Sequence, residues 1–189
     1  GYKKLPPPVQ SGIGNFIKNL KLPLVAVNQL LQGQGKNAAE STGRFLVNST
    51  IGIFGLIDVA DDLGLEQKEE DFGQTLATWG VGDGFYIVLP LFGPSNLRDT
   101  TGMVMTMMTD PVNAYAANQG EAWAIPLRTA VNAVDQRSKI IDEVNALRDN
   151  SLDYYAAVRS SYYQNREAAI NNTDDSDLTP LPLISIEFE

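Results

Sequence analysis

Few residues of this chain could do chemistry, and two of the most versatile types are missing altogether: there is no Cys and no His. Without Cys there is no disulfide, thiol nucleophile or thiolate metal site. Without His the commonest general base and metal ligand is gone, which argues against a hydrolase. Gly35-Lys36-Asn37 lacks the first glycine and the hydroxyl of a phosphate-binding P-loop. Gly80, Gly82 and Gly84 miss the spacing of a dinucleotide fingerprint, and no Gly-x-Ser-x-Gly elbow is present. Glu69-Glu70-Asp71 is acidic without the alternating pattern of a calcium loop, and reads as a solvated face. Asn48-Ser49-Thr50 and Asn171-Asn172-Thr173 match a glycosylation sequon too short to be informative. No catalytic centre, metal or cofactor is expected.

The most informative segment is one that chemistry has largely vacated. Between Phe72 and Thr109 the only charged side chains are Asp83, Arg98 and Asp99. They flank an apolar core, residues 80–94, interrupted by glycines, Pro90 and Pro94. A helix crossing a bilayer needs about 20 uninterrupted apolar residues. Irregular backbone at membrane depth is tolerated only when buried in protein or lining a cavity. The segment therefore reads as an apolar hairpin, residues 85–92, that lines something. Its plain alternative is an ordinary core hairpin.

The elements that must position it are helical. Ile13, Ile17, Leu20, Leu24, Val27 and Leu31 recur at steps of three and four, the period of an amphipathic helix. Pro23 should kink that element or start a second helix, and Pro6-Pro7-Pro8 should form a stiff extended lead-in. Gly33-Gln34-Gly35 ends the helix, and Ser41-Thr42 is positioned to cap the next. Residues 51–57 are apolar on every side and are expected to be buried on every side, with Gly52 and Gly55 permitting close contact. The acidic residues 61–71 read as a solvated loop, 72–79 as a short helix stopped by Gly80, and Ser95 as the cap of a helix through Met108. Beyond the break at Asp110-Pro111, residues 121–147 and 151–170 form two longer helices with ordinary polar faces, joined by a turn at Asp149-Asn150 and capped at Ser151. Residues 173–189 form an acidic, extended tail. The fold class is all-α with one hairpin-like apolar loop. It divides as 1–110 (the apolar helical part with the hairpin-like loop), 111–172 (a helical hairpin packed on it) and 173–189, in one structural domain.

Composition agrees. A chain of 189 residues with 43% hydrophobic and 20% charged residues builds a sizeable core and is neither disordered nor a bundle of membrane spans. Its net charge of −9 excludes general binding to nucleic acid and simple attachment to anionic lipid. Residues 1–44 are nevertheless mildly basic. The four apolar segments 13–31, 51–57, 85–92 and 103–108 exceed what the first ~110 residues can bury, so part of that surface should meet lipid or a partner. Gly1-Tyr2-Lys3-Lys4 does not lead into a signal-peptide core, and the chain reads as a mature or trimmed fragment whose export signal would lie upstream.

Several ordered blocks resemble a known family. Ile13-Gly14-Asn15-Phe16-x-x-Asn19-Leu20-x-x-Pro23, Asn28-x-x-Leu31-Gln32-Gly33 and Arg44-Phe45-x-x-Asn48-Ser49-Thr50-x-Gly52 are followed by Asp58-Val59-Ala60. Then come Glu70-Asp71-Phe72-Gly73-x-Thr75-Leu76-x-x-Trp79-Gly80-Val81-Gly82, Leu89-Pro90-x-x-Gly93-Pro94-Ser95-x-x-Arg98-Asp99 and Asp153-x-Tyr155…Val158-Arg159. In order and spacing, from Tyr2 to Ile170, they are similar to MlaA (VacJ) outer-membrane lipoproteins. The amino-terminal part of that family, with its signal peptide, lipidated cysteine and first helices, has no counterpart here.

The resemblance implies a ring-like helical bundle in the inner leaflet of a Gram-negative outer membrane, facing the periplasm. Its channel would let misplaced phospholipid leave the outer leaflet for the periplasmic carrier MlaC, beside a trimeric porin. On that reading Phe85, Tyr86, Leu89, Pro90, Leu91 and Phe92 face lipid tails, and Asp83, Arg98 and Asp99 serve a headgroup or gate. Arg98-Asp99 reads equally as a structural ion pair. Asn15, Phe16, Asn19, Leu20 and Pro23 belong to the interfacial helix, where Asn15 and Asn19 either set its seat at the channel mouth or satisfy backbone. Tyr154, Tyr155, Tyr162 and Tyr163 read as helix packing, interfacial anchors or a porin contact. Two other classes remain open: a membrane-bound adaptor that docks porin or carrier without conducting lipid, and a periplasmic lipid binder with a closed pocket.

Overall fold

The computed structural model describes residues 6–90 and 92–173; the side chains of 135–140, 142, 143 and 146 are outside the description. Leu91 and most of the tail proposed for 173–189 therefore lie outside the described residues. The order is α1 (Pro7–Leu31), α2 (Gly35–Thr50), α3 (Val59–Asp62), α4 (Phe72–Thr78), β1 (Tyr86–Leu89), β2 (Gly93–Asn96), α5 (Leu97–Thr109), α6 (Pro111–Asn118), α7 (Ala124–Asn150) and α8 (Tyr154–Asn171). The described chain is mostly helical, with a single antiparallel ribbon whose register pairs Tyr86 with Asn96 and Leu89 with Gly93. No described helix is long and apolar enough to cross a membrane.

Several boundaries differ from the sequence expectation, each for a local reason. Pro7 and Pro8 occupy the first turn of α1, where a missing N–H costs nothing, so only Pro6 is extended. No second helix begins at Pro23, because α1 continues as one element to Leu31. It stops at Gly33, which takes a φ of +79°. Helix α2 already starts at Gly35, so Ser41 is a buried interior residue rather than a cap. Asn96 caps α5 by accepting from the Asp99 N–H at 2.7 Å, and Ser95 instead sits in β2 opposite Ile87. Helix α7 runs through Asn150, which moves the turn to 151–153 and gives the cap of α8 to Asp153.

The largest correction concerns polarity. Residues 51–57 form a turn whose apolar side chains are exposed: 65% at Ile51, 56% at Ile53 and 75% at Phe54. Gly52 and Gly55 are buried beneath them, as their expected close contacts require. The acidic segment departs in the opposite sense, because Glu70 is buried. The interior is correspondingly polar. Its largest fully buried side chains are Arg44, Gln29, Asn28, Asn96 and Thr75, while the buried apolar set is small: Ile17, Leu22, Val25, Ala26, Ala38 and Ala60.

Hydrogen bonds take over the role that apolar packing has in most domains. Arg44 of α2 clasps Asp58 through two bonds of 2.8 and 2.7 Å, and Asn48 donates to the same carboxylate at 2.8 Å. Thr75 of α4 donates to the Asn28 carbonyl oxygen at 2.8 Å and accepts from Gln32 at 3.1 Å, tying α4 to α1. Helices α4 and α5 meet backbone to backbone, since a Cβ on Gly102 would stand 2.4 Å from the Gly73 nitrogen. Pairing of this kind offsets the cost of burying polar groups, although the Gln29 Oε1 and Arg44 Nε atoms are buried without a partner.

Candidate functional site: an amphipathic cavity

A cavity of about 470 Å³ lies among elements far apart in the chain. It is bounded by α1, residues 67–71, the tip of the β1–β2 hairpin, and α4, α5, α6, α7 and α8. The face of α1 turned towards it follows the helical step, with Ile17, Lys21, Leu24 and Asn28 separated by four, three and four residues. The apolar part of the wall includes Leu22, Val25, Phe92, Met103 and Met107. The polar part includes Lys18, Glu70, Asp71, Asn113, Arg128 and Arg166.

Two arginines on that wall are fixed by acids from other elements. Arg128 of α7 donates to Asp110 at 2.7 Å and to Asn113 at 3.1 Å. Asp110 also caps α6 through the Val112 N–H at 2.8 Å, so one carboxylate sets both a helix start and a cation. Arg166 of α8 donates twice to Asp71, at 2.7 Å each, and once to Asp99 at 3.0 Å. Burial pushes the Asp71 carboxyl upward, but the hydrogen bonds and charge of Arg166 outweigh it and hold the group below its ordinary range. The neighbouring Glu70 is pushed the other way. Burial raises its pKa, and the amides of Gln32 (2.8 Å) and Gln34 (3.5 Å) only partly offset that.

The hairpin residues singled out in the sequence separate into two groups. Phe92 lines the cavity. Tyr86 instead packs on α8, with ring centroids 5.7 Å from Tyr155, 5.9 Å from Tyr162 and 6.1 Å from Tyr163, and with Arg159 5.7 Å over its face. Phe85 is 65% exposed, Pro90 is exposed and Leu89 is half-buried. Arg98 is buried, paired with Asp83 and, at 3.0 Å, with Asp99. Tyr162 donates its hydroxyl to Asp99, and this bond together with burial raises the Tyr162 pKa. Asp83, Arg98 and Asp99 are thus joined into a network at the base of the hairpin that extends to α4 and α8.

On α1, Asn15 and Asn19 both act on the chain between α2 and α3. Asn15 donates to the Leu56 carbonyl at 3.3 Å, and the buried Asn19 donates to the Ser49 hydroxyl at 2.9 Å. Phe16 is exposed, while Leu20 and Pro23 are half-buried. Arg128 and Arg166, on the cavity wall, went unnoticed in the sequence, and Asp110 was read only as part of a helix break. A lone arginine on a polar helix face carries no local signal, and the partners of Arg166 lie 95 and 67 residues away. Among the described residues no group of three or more Asp or Glu converges as a metal site.

The wall brings fixed cations and carboxylates together with apolar side chains. It can accommodate a molecule with one charged end and one apolar end. Comparison with known proteins identifies the family. The family model described as MlaA lipoprotein matches residues 1–169. An uncharacterized protein of Rickettsia bellii is 37% identical over 172 residues, which are 90% of this chain and 66% of that protein. The Haemophilus influenzae protein named intermembrane phospholipid transport system lipoprotein MlaA is 34% identical over 173 residues, 89% of this chain and 66% of its own length. The chain therefore spans just under two thirds of these relatives. A solved structure described as "Structural basis for maintenance of bacterial outer membrane lipid asymmetry" superposes with a TM-score of 0.77 at 33% identity, covering 89% of this chain and 83% of that one. This chain belongs to the MlaA lipoprotein family.

Proposed function

We propose that the protein is a passive phospholipid conduit, set in the periplasm-facing leaflet of a Gram-negative outer membrane, with the cavity as the narrow part of the lipid path. The observation that supports this reading is a doubled inversion of polarity: many large apolar side chains lie on the exterior where water would favour polar groups, and the cavity wall combines charged with apolar side chains. Tails would follow Leu22, Val25, Met103 and Phe92, and the headgroup the side of Arg128 and Arg166. A space of this volume suits a drug-sized group and is smaller than a two-tailed lipid, which favours transit over storage in a closed pocket. Residues 1–110 and 111–172 both contribute lining residues, which supports a lipid path shared between the two parts. Asp83, Arg98 and Asp99 hold the hairpin base on this reading instead of meeting the headgroup. The outer-membrane porin and a soluble periplasmic carrier are the partners it implies.

Met103→Trp and Phe92→Asp test the proposal by obstructing or charging the apolar wall. The expected result is altered outer-leaflet phospholipid, with the variants folded and porin-associated as before. Unchanged outer-leaflet phospholipid under those conditions would sink the conduit. Loss of porin or carrier capture by variants with an intact cavity would favour an adaptor.

A further inference from the structure

We propose that the loop of residues 51–57 is a wedge that inserts into lipid acyl chains, its backbone held in a strained form so that Ile53 and Phe54 point outward. This rests on the reading of the protein as membrane-embedded and adds to it a specific point of insertion. The loop contains no polar side chain, and Ile51, Ile53, Phe54, Leu56 and Ile57 are each between 45% and 75% exposed. A connection between α2 and α3 needs no such display.

The backbone distinguishes lipid from water as the medium around the loop. Six of its seven N–H groups have internal acceptors: those of Ile51 and Gly52 reach the Val47 carbonyl, Phe54 reaches Ser49, Gly55 reaches Asn48, Leu56 reaches Ile53 and Ile57 reaches Gly52. Asn15 supplies a donor to the Leu56 carbonyl. Internal pairing of N–H groups matters most in hydrocarbon, which offers them no solvent acceptor. The flanking polar groups also turn inward: the Thr50 hydroxyl donates to the Leu46 carbonyl, and Asp58 is bound to Arg44 and Asn48. A protein-docking patch carries a polar rim with hydrogen-bonding groups, and this loop presents none.

Ile53 and Phe54 have φ of 52° and 57°, a left-handed conformation unfavourable to a β-branched and an aromatic side chain. Glycine would satisfy that backbone without strain, yet two of the bulkiest apolar side chains stand there. Below them Gly55 (φ +89°) lies against Asn19, where a Cβ would be 2.5 Å from the Asn19 Cβ, so the loop is seated firmly on α1. The geometry is that of a rigid apolar tip on a polar, hydrogen-bonded base.

The test uses the full chain with Phe54→Cys carrying an environment-sensitive fluorophore, added to phosphatidylethanolamine/phosphatidylglycerol vesicles with nitroxide quenchers at mid-chain or headgroup depth. Blue-shifted emission, quenched more strongly from mid-chain, is expected. A second variant, Ile53→Gly/Phe54→Gly, separates this role from a structural one: thermal stability should rise as strain is released, while vesicle affinity falls about tenfold. A vesicle-bound chain whose position 54 stays in a water-like environment, or is shielded only by an added protein, overturns the wedge and leaves the embedded reading intact. A chain that does not bind vesicles at all overturns the embedded reading and the wedge with it.

Discussion

Two apolar, glycine-containing segments, residues 51–57 and the hairpin of β1 and β2, begin from similar composition and are secured by opposite means. The first is a left-handed turn held through its backbone, with Asn15, Asn48 and Ser49 supplying partners and its side chains left outside. The second is extended, with its two strands bonded to each other and one side chain, Tyr86, packed against the tyrosine cluster of α8. Apolar composition therefore does not determine which part of a segment is anchored. That is decided by where glycine permits close approach and by which polar side chains reach the backbone.

The contrast should appear most strongly in paired glycine substitutions. Gly55→Ala places a Cβ into Asn19 on a backbone of φ +89°, and unfolding in urea should show a loss of about 3 kcal/mol or more. Gly93→Ala meets the same left-handed conformation (φ +85°) but open space, so its loss should be only about 1 kcal/mol. Equal losses would erase the distinction between the two seats.

Arg166→Met tests the hairpin's support from α8. Asp71 and Asp99 would lose their shared cation, and a stability loss of about 2 kcal/mol is expected, reduced from the fully buried case because Asp71 is half-exposed. Asp71 has a depressed pKa in the folded protein, so its contribution is complete above its ordinary value of 3.8 and disappears as the pH falls below it. Stability measured across that acid range should lose this component in the variant.

The smallest effect is expected at the base shared by neither segment. Glu70 has a raised folded pKa, so it favours folding below its ordinary value of 4.5 and opposes folding as the pH rises through the folded value. Glu70→Gln should increase the melting temperature at neutral pH and leave it nearly unchanged in acid. A decrease at neutral pH would mean that the carboxylate, with its Gln32 and Gln34 donors, stabilises the site.

Much of the fold was legible in the sequence. The apolar period of α1, the short α4 ended by Gly80, the hairpin and the break at Asp110-Pro111 all follow from local spacing and turn chemistry. The 51–57 loop was misjudged because apolar was equated with buried, whereas here much of the interior is polar and the apolar side chains of this loop lie outside. The Asp71–Arg166–Asp99 clasp was illegible for a different reason: charges on two helices and at the cap of a third show no pattern until the chain has folded. Of the cavity wall, Phe92 was foreseen, and Arg128 and Arg166 were not.

The buried amides and guanidinium of Asn28, Gln29, Arg44 and Asn96 also carry a calorimetric consequence. Hydrating polar surface lowers heat capacity and hydrating apolar surface raises it. Unfolding this molecule would expose much polar surface, while many of its large apolar side chains already lie on the outside. Its heat-capacity increment should therefore fall below the usual ~12–15 cal/mol/K per residue, giving a shallow curve of stability against temperature. A protein of this kind would hold nearly the same folded fraction in cold and in warm surroundings.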